Sequence, residues 1–168
     1  MRKFILLLGS LFLAMMLAAC SSEADEIVDY HNGYIENVAD RMDEMDEMGI
    51  EALNDEEVLG AYEDELLPFL TELKDYMDSQ DELEHDVTKE YHALRKDAID
   101  KLHEGFHLHY EALSDYDEGS ITEEELFEKI AEIDEVFLEA EESTEAAEER
   151  IDELSDEYDL EELDDDDE

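Results

Sequence analysis

The chain has 168 residues, with 57 Asp and Glu against 10 Lys and Arg, one Cys, one Pro and no Trp. That length holds one domain and a small extra element. A net charge of −47 excludes a nucleic-acid binder, because a phosphate backbone needs a basic face. The lone Cys excludes a disulfide scaffold and any zinc site built on two or four cysteines, and one Pro with six Gly excludes a collagen-like or Pro-rich chain.

Arg2 and Lys3 form a short positive region, and Phe4 to Leu17 is an apolar run interrupted only by Gly9 and Ser10. The run is shorter than the about 20 apolar residues that a comfortable membrane span takes, and no stop-transfer pattern follows. Residues 1–19 therefore read as a secretory signal peptide. The run closes as Leu17-Ala18-Ala19-Cys20, followed by Ser21 and Ser22. This tetrapeptide resembles the lipobox of bacterial lipoproteins at every position, and the sole Cys occupies the place the lipobox requires. The resemblance implies a thioether-linked diacylglycerol on Cys20, cleavage before it, and a mature chain anchored to the extracytoplasmic face of the cell membrane. Two acyl chains, such as palmitate, anchor stably, since each buried methylene contributes about 0.8 kcal/mol and a single chain is marginal.

The leader carries two of the bases and none of the acids. The remaining 149 residues hold 57 acids and eight bases, a side-chain charge of −49. Such a chain repels itself in dilute salt, whereas at molar salt the screening length falls to about 3 Å. The composition therefore suits a halophilic source with a solvated acidic surface.

Residues 20–26 read as the lipidated Cys and a short tether. Beyond them the apolar residues recur at helical spacing with almost no strand alternation. The first predicted helix covers about Asp25 to Met48, with Ile27, His31, Tyr34, Val38, Met42, Met45 and Met48 on one face and Gly49 as its stop. The second starts at Asn54, with Glu57 completing a capping box and Leu53 and Val58 a hydrophobic staple. Its face is Val58, Tyr62, Leu66, Phe69, Leu73 and Tyr76, widened by Leu59, Leu67, Leu70 and Met77. Pro68 removes a donor inside it and predicts a kink or restart near Leu67. The third helix is placed after Ser79 with Glu82 as box partner, or fused with the second as one bent rod. Its face is Leu83, Val87, Tyr91, Leu94, Ala98, Leu102, Phe106, His109, Leu113 and Tyr116. The fourth opens with a Thr122 cap, Glu125 as box partner and an Ile121–Leu126 staple. Its apolar line alternates steps of four and three from Leu126 to Tyr158, which predicts a left-handed coiled-coil-like seam, thin at Ala140, Thr144 and Ala147. From Asp159 to Glu168 like charges crowd every turn, as in a disordered acidic tail. The fold class is all-α: an elongated antiparallel bundle of three to four long helices over residues 27–158.

Charge adds an arrangement. Residues 85–109 hold five acids and four bases, whereas 120–168 hold 25 acids and two bases. His85, Lys89, His92, Lys96, His103 and His107 fall within a ~60° arc of the third helix at ~100° per residue. That helix is expected at the centre, flanked by acidic neighbours.

Three motifs touch on chemistry. His103-Glu104-Gly105-Phe106-His107 matches H-E-x-x-H, in which two histidines one turn apart bind zinc and the Glu serves as base. A zincin also needs a third ligand and a substrate-aligning strand; His109 is the only nearby candidate ligand, and it lies on the core face. Asp115 to Glu125 resembles an EF-hand loop one residue short, with its fifth-position ligand missing. Met42, Met45 and Met48 carry the thioether spacing of a Cu(I) site, which core filling also explains. No nucleophile–base pair or phosphate loop is evident. The reading assigns no catalytic residue, no metal ligand and no cofactor, and one modified residue, Cys20.

With the lipobox and the helical body in place, the stretch from about Leu83 to Tyr158, with its Ile121-Thr-Glu-Glu-Glu-Leu126 turn, resembles the YkyA-type cell-wall-binding lipoproteins of Gram-positive bacteria. The resemblance implies a lipid-anchored, helical envelope protein. The chain departs from that family in being far more acidic, so contact with anionic wall polymers would need bridging divalent cations. The expected function is non-enzymatic: a lipid-anchored interaction or cell-envelope module whose partners are wall components, envelope proteins or divalent cations. The alternative is a metal- or haem-binding lipoprotein using the histidines of the third helix, and a zinc hydrolase ranks last. The charge argument has a direct check in thermal melts at low and at molar NaCl. The Tm of the mature chain should rise with salt, and a Tm indifferent to salt contradicts the argument.

Overall fold

The computed structural model describes residues 22–47, 55–80 and 82–160. The signal peptide, Cys20, the Met48–Gly49 stop, the Leu53 and Asn54 cap and the tail beyond residue 160 lie outside the described residues. Helix α1 covers 22–47 and includes a π-helical turn at Ile35–Ala39. Helix α2 covers 55–78, with a π-helical turn at Tyr62–Leu66 between Asp55–Ala61 and Leu67–Asp78. Helix α3 is Asp86–Asp117 and α4 is Glu123–Tyr158. At 1.5 Å per residue the last two are roughly 48 and 54 Å long. No strand occurs among the described residues.

The helices run alternately up and down. Arg41 of α1 meets Glu72 of α2 while Gly33 faces Tyr76, so these two are antiparallel. Tyr62 of α2 meets His109 and Lys74 meets Asp100, which sets α2 against α3. Glu90 pairs with Arg150 and Lys101 with Glu139, which sets α3 against α4. Helix α1 crosses the bundle. Its Ile27 and Tyr30 pack with Tyr91, Ala147 and Leu154 at the foot. Its Tyr34 and Val38 pack with Leu66, Leu70 and Leu73 of α2 and with Ile99. The π-helical turn at Ile35–Ala39 follows Tyr34 and contains Val38, so it shifts the register of α1 within the half that packs on α2. The tip of the α3–α4 hairpin forms a third cluster around Ala112, Leu126 and Ile133.

Helix α4 follows its sequence closely. Thr122 accepts from the Glu125 backbone N–H (3.3 Å) and the Glu125 carboxylate accepts from the Thr122 N–H (2.8 Å). Every position of the expected seam is buried or half-buried, including Ala140 and Ala147. Pro68 acts as expected through a specific device. The Leu67 N–H reaches back five residues to Tyr62, and a regular helix restarts at Leu67. The widened turn gives the proline ring room beside the preceding backbone.

Four expectations are corrected. Helix α1 starts at least three residues before Asp25, so 22–26 are helical rather than a loose tether. Tyr30, which the periodic reading passed over, is buried. Ser79 closes α2 instead of opening α3: its N–H bonds to Asp75 and its hydroxyl donates to the Tyr76 carbonyl (2.7 Å). The two helices are therefore separate, and α3 begins after His85, with no side-chain cap of its own. Glu26 of α1 supplies acceptors there, taking the N–H groups of Glu84 (2.8 Å) and His85 (2.9 Å). Burial opposes ionisation of Glu26, yet these two donors hold its carboxyl below the usual range.

The fourth correction concerns the buried line of α3. It runs Thr88, Tyr91, Arg95, Ala98, Leu102, Gly105, His109 and Ala112, with Leu102 and His109 half-buried, alternating steps of three and four like the seam of α4. Tyr116, expected on the core face, is 44% exposed. The apolar reading skipped Thr88, Arg95 and Gly105 because their side chains are polar or absent. Gly105 is a packing residue: a Cβ there would sit 2.6 Å from the Phe137 ring of α4. Asp159 adopts a left-handed conformation and ends α4, and Leu160 folds back, its N–H bonding to the Ser155 carbonyl (3.0 Å).

A pair of substitutions separates packing from helix propensity. Gly60 has nothing within 4 Å of a built Cβ, so Gly60→Ala should stabilise by about 0.5–1 kcal/mol. Gly105→Ala should instead lower stability by about 1 kcal/mol, because overpacking outweighs the propensity gain. Urea denaturation of both variants at one salt concentration checks this, and a stabilising Gly105→Ala contradicts it.

Candidate functional site

The polar side chains that converge inside the bundle are tyrosines, histidines and one arginine. Arg95 is 6% exposed. Its guanidinium carbon lies 4.5 Å from the Tyr34 ring centroid and 5.4 Å from that of Tyr91. Its Nε–H donates to the Tyr91 hydroxyl (3.1 Å). Arginine only donates, so the Tyr91 oxygen accepts there, and the same hydroxyl pairs with His31 Nδ1, 2.8 Å away. Burial, then the guanidinium, push the His31 pKa down. Burial raises the pKa of Tyr34 and Tyr91, and the guanidinium partly offsets the rise.

The same pairing recurs twice. Tyr30 meets His92 Nδ1 at 3.1 Å between α1 and α3, and Tyr62 meets His109 Nδ1 at 2.8 Å between α2 and α3. His109 is half-buried, with its pKa pushed down by burial. It belongs to the core and faces Tyr62, on a different side of α3 from His103 and His107. Those two stand together with ring centroids 4.5 Å apart, and His103 Nε2 lies 3.3 Å from the Thr71 hydroxyl of α2. Glu104 between them is exposed. The structure thus pairs two members of the H-E-x-x-H pattern and separates the third histidine from them. Among the described residues no group of three or more His, Cys, Asp or Glu is arranged to hold a metal ion.

The loop that resembles a shortened EF-hand is a helix-to-helix turn. The Asp115 carbonyl accepts from Ser120 (2.8 Å), Gly119 takes φ +70°, and the Asp115 carboxylate lies 3.6 Å from Lys129. Glu125, the would-be last ligand, is spent on the Thr122 cap, and those contacts lower its carboxyl pKa. Met42 and Met45 pack against the α1–α2–α3 core, and Met48 lies outside the described residues.

The expected central position of α3 holds. Lys96 of α3 and Lys74 of α2 share Asp78 and Asp100, giving a four-membered ion network across the two helices. Lys101 binds Asp97 (3.2 Å) and Glu139 of α4 (3.1 Å), and Ser143 donates to Asp97 (2.6 Å). At the foot, His85 lies 3.4 Å from Glu23, and Tyr158 donates to Glu23 (3.1 Å). Two surface depressions open to solvent, one on α4 lined by Glu142, Glu145, Ala146 and Glu149, the other at the foot beside Ser22, Glu26, Tyr30 and Leu83. No described helix is long and apolar enough to cross a membrane. Set against protein families, curated proteins and solved structures, the chain matches none.

The depressed pKa of His31 gives a signed pH effect. Its stabilising contribution is complete above ~6.5, the ordinary histidine value, and is lost as pH falls through the lower folded value, because the unfolded chain takes up the proton first. Between pH 7 and 5 the wild type should lose stability relative to His31→Gln, in which this titration is absent. Paired urea titrations read the difference, and parallel pH profiles contradict it.

Proposed function

We propose that the protein is a lipid-anchored, extracytoplasmic helical lipoprotein acting as a non-enzymatic module of the cell envelope. One observation carries the reading: Leu17-Ala18-Ala19-Cys20, with the single Cys of the chain at the modified position behind a signal-like apolar run. The described helices begin at Ser22, and two residues of chain span at most about 7 Å. Lipidation at Cys20 would therefore set the foot of the bundle close to the bilayer and project the α3–α4 tip roughly 50 Å outward. The foot displays Glu23, Asp25, Glu26 and Asp29, so anionic lipid headgroups would repel the body and favour an upright stance.

The interior supports a scaffold role. Its histidines at 31, 92 and 109 are committed to tyrosines that lock one helix on another. The outward surface is dominated by carboxylates, which suits cationic envelope proteins, or wall polymers bridged by divalent cations. Expression of the full chain in a Gram-positive host tests the anchor. Wild type should partition into detergent with the membrane and carry diacylglycerol on Cys20 by mass spectrometry, while Cys20→Ser should appear in the medium. An unmodified Cys20, or a variant that stays with the membrane, overturns the reading.

A further inference from the structure

We infer that His103 and His107 form a two-point site for a borderline divalent transition ion, Cu2+ ahead of Ni2+ and Zn2+, with water completing the coordination shell. Two histidines four apart lie on one helical face, and here their ring centroids are 4.5 Å apart with the planes inclined by 54°. Small side-chain rotations bring one nitrogen of each ring to the ~2.0–2.1 Å that metal–imidazole bonds require. Both rings are half-exposed at the edge of the α2–α3 contact, so an ion has access without opening the core.

The surroundings favour a neutral, ligand-ready His103. Burial, the facing His107 and the Lys74 ammonium push the His103 pKa down, while Asp100 and Asp75 act the other way. Asp100 is already shared by Lys74 and Lys96, so Asp75 is the carboxylate that offsets the Lys74 charge for an incoming cation. The other described histidines are placed differently: His31, His92 and His109 each meet a tyrosine of another helix, and His85 sits at the foot near Glu23. Among the described residues His103 has a long hydrogen-bond contact, 3.3 Å to the Thr71 hydroxyl, which a metal ion outcompetes. Among the described residues two protein ligands converge, and a borderline ion selects imidazole over carboxylate oxygen, in the order of increasing affinity toward Cu2+. This site is independent of the anchor: it is read on the purified chain carrying Cys20→Ser, which removes the one thiol that would bind or reduce Cu2+.

The test is calorimetric titration of the purified full-length Cys20→Ser chain with Cu2+, in excess Mg2+ and high NaCl so that surface carboxylates are occupied and screened. One equivalent should bind. His103→Ala and His107→Ala should each weaken it at least tenfold, whereas His85→Ala should leave it unchanged. The electron paramagnetic resonance spectrum of the bound ion should show two nitrogen ligands in this parent chain and one in either variant. Circular dichroism confirms that each variant remains helical, and the spectra distinguish ligand loss from any partial unfolding. Copper binding untouched by either substitution, displaced by Mg2+, or lost in only one of the two variants overturns the inference.

Discussion

A guanidinium held between two phenol rings is the interaction on which the docking of the first helix depends. Taking Arg95 out of water costs several kcal/mol, and no carboxylate contacts it as an ion-pair partner among the described residues. The cost is offset by the faces of Tyr34 and Tyr91, each in the range where a desolvated cation–π contact is worth about 2 kcal/mol, and by the bond to the Tyr91 hydroxyl. Tyr34 belongs to α1, Tyr91 and Arg95 to α3, and Glu148 of α4 adds its field. Three helices thus meet at one charge. With α1 fixed there, Ile27 and Tyr30 enter the foot cluster, and Glu26 reaches the N–H groups ahead of α3.

The wider electrostatics follow the same geometry. A chain with this excess of acid can fold only where apolar seams and a few cations outweigh repulsion. The cations are gathered on α3, where Lys96 draws on the acids of α2 and Lys101 on those of α4. Individual surface pairs contribute little. Their placement still matters, because the least acidic helix is the one touched by the other three. The outer faces of α4 are left to carboxylates, which ties the stability of the bundle to the salt around it.

Much of this was legible in the residues. The Thr122–Glu125 box and the four-three seam of α4 are local signals, and each appears in the fold as the sequence implies. Pro68 announced its widened turn for the same reason: a ring clash acts within one turn. What escaped notice is long-range or lacks an apolar side chain. The seam of α3 includes Thr88, Arg95 and Gly105, so a search for greasy residues slid off it toward Tyr116. The acceptor ahead of α3 comes from Glu26, some sixty residues away. The histidines were visible in the sequence, but the roles of His92, His31 and His109 are set by Tyr30, Tyr91 and Tyr62, whose positions opposite them only the folded chain defines. Periodicity set His109 on the core face, apart from the arc of His103 and His107, and packing turns them toward different neighbours accordingly.

The account stands on the coupling between Arg95 and Tyr34, which a double-mutant cycle measures directly. Arg95→Met keeps the volume and removes the charge, Tyr34→Leu removes the ring, and the double variant closes the cycle. Urea denaturation of the four proteins at a single high salt concentration should give a coupling of at least ~1 kcal/mol in favour of the native pair. A coupling within ~0.3 kcal/mol of zero would show that the arginine is merely accommodated between the rings and that another contact holds α1 in place.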